Sequence, residues 1–279
     1  MEIINNRYRL KELLYQKKHI TVYLAFDMRN DNKVVLFNLL NSEYLPKSLI
    51  DFYVSRFIEI KGLTSNSIVR NHNFNTISSI DNKLQSDPQF FYTSEYIPGK
   101  KKLFDIVEKM DFKQIIDCFV EISTAVHYLH LKGFIHGALN RNAVFVNPRI
   151  EGIPILLEDV ATVQMERLTH AEQMEDAAYK SPKVLAGRME DVESDIYSLG
   201  VILLAMLTKQ PSLTSPLEEL SLLKENTLDS DVLKVIPILE KILDTEKNQT
   251  YKNLYDLIVD LNEALDSNYT IVKMDEFDG

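Results

Sequence analysis

Residues Phe134 to Ala161, FIHGALNRNAVFVNPRIEGIPILLEDVA, gather side chains able to do chemistry. An imidazole (His136), two amides (Asn140, Asn142), a guanidinium (Arg141) and two adjacent carboxylates (Glu158, Asp159) fall within one short stretch. Groups of this kind hold a cation, bind an anion or pass a proton only where they converge. The apolar residues between them read as a strand, a loop and a strand pair, which would bring the polar groups to a cleft.

The elements that must position this stretch are legible on both sides of it. Before it, Asp111 with Gln114 makes a capping box, Ile115, Phe119, Ile122, Val126 and Leu129 share one helical face, and Gly133 is the C-cap. That helix delivers the chain directly into His136. Earlier still, Arg7 to Asn38 alternates as three strands (Tyr8 to Leu14, Val22 to Phe26, Val34 to Phe37), followed by one helix with Leu49, Phe52, Tyr53, Phe57 and Ile60 at helical spacing. Asn71 to Pro88 reads as an irregular or long hairpin connection, and Phe90 to Tyr96 as the next strand. After the polar stretch, Asp231 to Leu243 and Thr250 to Leu265 predict two closing helices, and Asn268 to Gly279 an acidic, disordered tail or linker.

Composition narrows the function classes. The chain has 279 residues, 45% apolar and 26% charged, enough for one or two cores. A net charge of -10 argues against a nucleic-acid partner, because phosphate affinity comes from clustered Lys and Arg. Lys100-Lys101-Lys102 is the one basic cluster and reads as a solvated turn before a helix. The longest apolar run, near Leu199 to Leu207, falls well short of the ~18 residues that span a bilayer, and the opening residues carry no apolar signal core, so a cytoplasmic location is expected. Cys118, the lone cysteine, reads as packing and allows no internal disulfide.

The order of these features resembles the protein-kinase superfamily. His136-Gly137-Ala138-Leu139, then Ala143, then Asp159-Val160-Ala161 is similar to the catalytic-loop and metal-binding motifs H-R-D-L-x-x-x-N and D-F-G. Glu95-Tyr96-Ile97-Pro98-Gly99 resembles the hinge, Ser181-Pro182-Lys183 the end of an activation segment, and Ser194-Asp195 to Val201 the start of the buried helix of the large lobe. The style RYRLKELL and TVYLAFD is similar to bacterial Ser/Thr kinases of the eukaryotic type. The resemblance implies an α+β, bilobal protein-kinase-like fold: an N-lobe (1–96) of antiparallel sheet with one main helix, a helical C-lobe (97–266), and a tail (267–279).

Measured against that family, several reactive positions are changed. Tyr15, Lys17 and Ile20 stand where glycines would cradle phosphates; Phe37 is aligned with the phosphate-pairing lysine, Arg56 with its glutamate partner, Ala138 with the catalytic aspartate and Ala143 with the asparagine metal ligand. Arg56 facing Phe37 could form a cation–π pair. Lys183 stands where a buried glutamate is expected, with Asn248 at its partner's place. His136 and Asp195 are kept, in bracing roles.

These changes imply a pseudokinase: no enzyme, no cofactor and no bound metal, acting as a scaffold or allosteric regulator of a protein partner in signalling. The alternatives are an atypical ATP-using transferase, or a nucleotide sensor without turnover. In either, ATP and Mg²⁺ would be met by Lys17, Lys18, Asn142 and Asp159, with Asp159 as the metal candidate.

Overall fold

The computed structural model describes residues 2–17, 20–41, 43, 45, 47–146, 155–157, 174–245 and 250–272. Two compact units make up the chain, the first within Met1–Pro98 and the second comprising Gly99–Leu157 with Glu172–Gly279.

In the first unit the alternating segments form β2 (Tyr8–Gln16), β3 (Ile20–Asp27) and β4 (Lys33–Leu40), preceded by a two-residue β1 (Ile3–Ile4). The region expected to be irregular is instead a regular hairpin of β5 (Asn71–Ile80) and β6 (Lys83–Glu95). Its turn is Asp81-Asn82, both left-handed at φ 47° and 64°, as a two-residue primed hairpin turn requires. The polar residues that suggested a loop supply that turn and the exposed positions of its strands. Ile4 pairs with both Tyr8 of β2 and Ile80 of β5, which closes the sheet into a barrel in the order β1-β2-β3-β4-β6-β5.

Ile4, Tyr8, Ala25, Val35, Phe37 and Phe91 fill the barrel. Phe37 stacks on Phe91 with centroids 4.4 Å apart, and Tyr8 meets both rings at 5.6 and 5.5 Å. Aromatic pairs in such geometry add about 0.5–1.5 kcal/mol beyond the area they bury. At the barrel's rim Arg7 grips the buried Asp27 through two bonds, Nε to Oδ1 at 2.9 Å and Nη2 to Oδ2 at 2.7 Å. Helix α1 (Lys47–Lys61) lies against the outer face, where Phe57 meets Phe74 and Tyr92.

The second unit opens with β7 (Lys101–Lys102) and α2 (Phe112–Leu131), whose predicted capping box is present: Asp111 Oδ1 accepts from Gln114 N and Gln114 Oε1 from Asp111 N. β8 (Val144–Val146) pairs with β7 on one side and β9 (Ile155–Leu157) on the other. Then come α3 (Pro182–Leu185), α4 (Val192–Thr208), α5 (Pro216–Asn226), α6 (Ser230–Leu243) and α7 (Leu254–Leu265). Every residue of α4 from Ser194 to Met206 is buried, as a helix that is apolar all round must be. Gly200 lets α6 approach: a Cβ there would lie 2.3 Å from Ile242 Cγ2. Thus a small antiparallel lobe with one main helix precedes a larger helical lobe, as expected.

Two details differ from expectation. Lys183 donates to Glu193 Oε2 at 2.9 Å, and Lys252 donates to the same carboxylate at 2.7 Å. The lysine is therefore paired within the first turn of α4, while Asn248 lies outside the described residues. Residues 267–272 do not leave as a loose tail. Tyr269 donates its hydroxyl to Asp117 Oδ1 at 2.7 Å, and the His127 Nε2 meets Val272 O at 2.6 Å.

Two tests follow from the barrel. Phe37→Ala empties the centre of the aromatic cluster and is expected to lower the urea unfolding free energy by about 3–5 kcal/mol; a loss below about 1 kcal/mol would contradict the packing described. Arg7 bonding holds the Asp27 carboxyl below its ordinary value. Stability from that depression is full above the unfolded value of about 4 and is lost as pH falls through the folded one. Acid titration of unfolding should therefore lose part of its slope below about pH 4 in Asp27→Asn.

Candidate functional site

The loop after α2 hangs on one carboxylate. Asp195, buried in the first turn of α4, accepts from the backbone N–H groups of His136 (Oδ2, 2.8 Å) and Gly137 (Oδ1, 2.8 Å). Its Oδ2 also meets His130 Nε2 at 2.8 Å. His130, on the last turn of α2, escaped the sequence reading; its signal is its place in Tyr128-Leu129-His130, where the helix ends just before the loop. His136 is itself fully buried, and its Nδ1 faces Ala138 N at 3.4 Å. Gly137 has φ 72°, a conformation that a side chain would strain.

Beyond this anchor the loop folds on its own amides. Asn140 Oδ1 accepts from Asn142 N at 2.7 Å, and Ala143 N donates to Asn140 O at 3.1 Å. Arg141 bonds Ser212. Asn142 turns its Oδ1 to Lys102 Nζ, 2.7 Å away. Ala138 is half-buried and Ala143 buried, and neither carries a reactive group. Asp159 and Glu158 lie outside the described residues.

In the first unit the strand register moves one assignment. Phe37 pairs with Tyr23 and Thr93, and its ring points into the barrel; it does not roof a cleft. Asn38 takes the other face, beside Val22 and Tyr92 in the ladder. It is buried and donates to Ser94 Oγ at 3.1 Å and more weakly to Leu36 O. Since Phe57 of α1 meets Tyr92, this is also the face that α1 covers. Alternate residues of a strand point to opposite faces, so a one-residue slip exchanges core for site. Asn38, one place along, therefore stands where the V-A-I-K lysine would be, and Phe37 has Tyr8 and Phe91 as ring partners instead of the expected guanidinium. The side chain of Arg56 lies outside the described set, as does Lys18. Lys17 is exposed, its Nζ 5.9 Å from the Tyr15 ring centroid.

The protein kinase domain model matches residues 21–268 of this sequence. The chain belongs to the protein kinase family. Among its relatives are probable serine/threonine-protein kinases of Clostridium acetobutylicum, 26% identical over 74% of this chain and 30% of that protein, and of Clostridium perfringens, 27% identical over 74% and 29%. The matched part is thus about three tenths of the length of those relatives. The crystal structure of the Mycobacterium tuberculosis PknI kinase domain superposes with a TM-score of 0.68 at 15% identity, covering 94% of this chain and 97% of that one. The fold is the bilobal kinase fold.

This match corrects the expectation that the chain is no enzyme. The protein kinase domain model matching residues 21–268, with relatives named as probable Ser/Thr kinases, overturns that expectation. Phe37, one of the changed positions, lies in the barrel core, and Asp159 lies beyond the described residues.

Two groups that the family implies can be tested against the residues present. For a nucleotide, the polar and aromatic groups available in the second unit lie at the edge formed by β7, β8 and the loop, where Lys102 meets Asn142 and pairs in register with Phe145. A divalent metal does not suit the described residues alone: among them no three His, Cys, Asp or Glu side chains converge.

The anchor makes its own prediction. Asp195→Ala leaves three buried donors without an acceptor and should cost about 3 kcal/mol or more in urea unfolding. Asp195→Asn should fall between, because its amide can accept but presents a donor to donors.

Proposed function

We propose that this domain is an ATP-using transferase of the Ser/Thr kinase type working with an altered set of side chains. What supports the reading most is the retained anchor, Asp195 on the His136 and Gly137 N–H groups, in a chain of this family. A framework that holds a loop in register at the cost of a buried carboxylate serves positioning, the larger part of phosphoryl-transfer catalysis. ATP, when bound, supplies the γ-phosphoryl group. Asn142 and Lys102 supply polar contacts to it, and Asp159 is the carboxylate available to the reaction. Ala138 and Ala143 contribute shape and no charge, so turnover is expected to be slow beside a kinase with the full motif.

A second reading concerns regulation through protein contacts. Ala138 and Ala143 favour it, since the loop keeps its frame without its usual reactive groups. In that role the domain acts as a scaffold or allosteric partner in a cytoplasmic signalling complex, and its net charge of -10 turns it from nucleic acid toward protein partners. Among the described residues no helix is long and apolar enough to cross a membrane.

The test combines melting with transfer. ATP at about 100 times its dissociation constant should add about 2.7 kcal/mol of stability, and labelled γ-phosphate should pass to a protein acceptor at a rate reduced by Asp159→Ala. The absence of both a melting shift at millimolar ATP and transfer, with Mg²⁺ or Mn²⁺, would sink the proposal.

A further inference from the structure

We propose that Lys102 is the side chain that meets the phosphate groups of the nucleotide. This rests on the ATP-using reading above and names the residue that makes it workable.

Phosphate recognition needs positive charge or several aimed N–H groups. On the strand where the family keeps a lysine, Asn38 is neutral, buried, and already donating to Ser94 and Leu36. Its amide cannot supply the charge. Within the second unit, the basic cluster once read as a solvated turn is a strand. Lys102 pairs in register with Phe145, and Lys101 with Val146, so Lys102 and Phe145 share one face and Lys101 takes the other. Lys100, two residues before Lys102, returns to the same face, and its Nζ sits over the Phe145 ring at 4.2 Å.

Two lysines therefore share a face with one ring, Lys100 with its ammonium over it and Lys102 in register across the ladder. Among the described residues neither is ion-paired to a carboxylate; Lys102 has an amide oxygen, Asn142 Oδ1 at 2.7 Å, and Lys100 has the ring. Like charges set side by side in a chain of net charge -10 are tolerated most readily where an anion completes them. Lys102 is also the better held of the two. Asn142 is fixed by its own backbone bond to Asn140 in the loop that Asp195 anchors, so the ammonium is tied to the catalytic loop and not left to solvent. An amide oxygen orients an ammonium without neutralising it, which leaves the charge free to act on a phosphate. Asn142 is thus a positioning residue for Lys102.

The test compares the full chain with Lys102→Ala, Lys102→Arg and Lys101→Ala, measuring dissociation constants for ATP and for adenosine by calorimetry. Both residues are exposed, and melting of the three unliganded variants checks that each is folded. Lys102→Ala is expected to weaken ATP roughly tenfold or more and to leave adenosine unchanged. Lys102→Arg should restore ATP to within a few-fold of the wild type, and Lys101→Ala, with the same charge on the opposite face, should bind as the wild type does. Equal ATP affinity in Lys102→Ala overturns the inference while leaving the ATP-using reading in place. So does an equal loss of adenosine and ATP, which would mark a structural role, or an equal loss in Lys101→Ala, which would mark net charge alone. Failure of the wild type to bind ATP overturns both readings together.

Discussion

The loop that follows α2 depends on one buried carboxylate. Asp195 sits in the first turn of a helix enclosed on all sides, and its two oxygens meet two backbone N–H groups and one imidazole at 2.8 Å. Placing a carboxylate away from water is costly unless every lone pair that matters is used. Here the cost is offset by donors from the end of α2 and from the loop, which meet a carboxylate carried by α4. Those three are consequently held in fixed relation inside one unit. Each is itself well anchored, α2 by the Asp111 and Gln114 capping box and α4 by the pair Asp191 and Ser194.

Because the anchor grips backbone, it constrains where the loop runs and leaves its side chains open to change. That separation explains how Ala138 and Ala143 coexist with an intact frame. It also explains Gly137: the N–H that Asp195 needs is presented at φ 72°, where glycine costs least. The loop then closes on itself through Asn140 and reaches outward through Asn142 to Lys102. A buried charge is linked by this short chain of bonds to an exposed one.

Much of the architecture was legible in advance because it rests on local rules. The α2 cap, the apolar face that follows it, the closing helices and the order of motifs all depend on residues within a few positions of one another. Less legible were the features that join distant segments. The two residues of β1 have no period to reveal them, yet pairing with both β2 and β5 closes the barrel. The β5–β6 hairpin hid behind its polar exposed face. Lys183 found Glu193, and residues 267–272 found α2, through contacts that no spacing rule anticipates. His130 was missed for the same reason, since its partner is 65 positions away.

Sequence alone determined the family frame, the helix and strand types, and which loop positions carry no reactive group. Only the tertiary structure decided which side chains meet. The clearest case is β4, where the motif count aligned Phe37 with the lysine, and the ladder with β3 and β6 sends the ring into the barrel and the amide of Asn38 to the opposite face. A motif counts residues along a chain, whereas a strand reverses face at every step, and its phase is set by the neighbours it pairs with. For Lys102 the same logic applies: cross-strand pairing with Phe145 and the bond to Asn142 give a lysine from an ordinary basic run its place beside the catalytic loop.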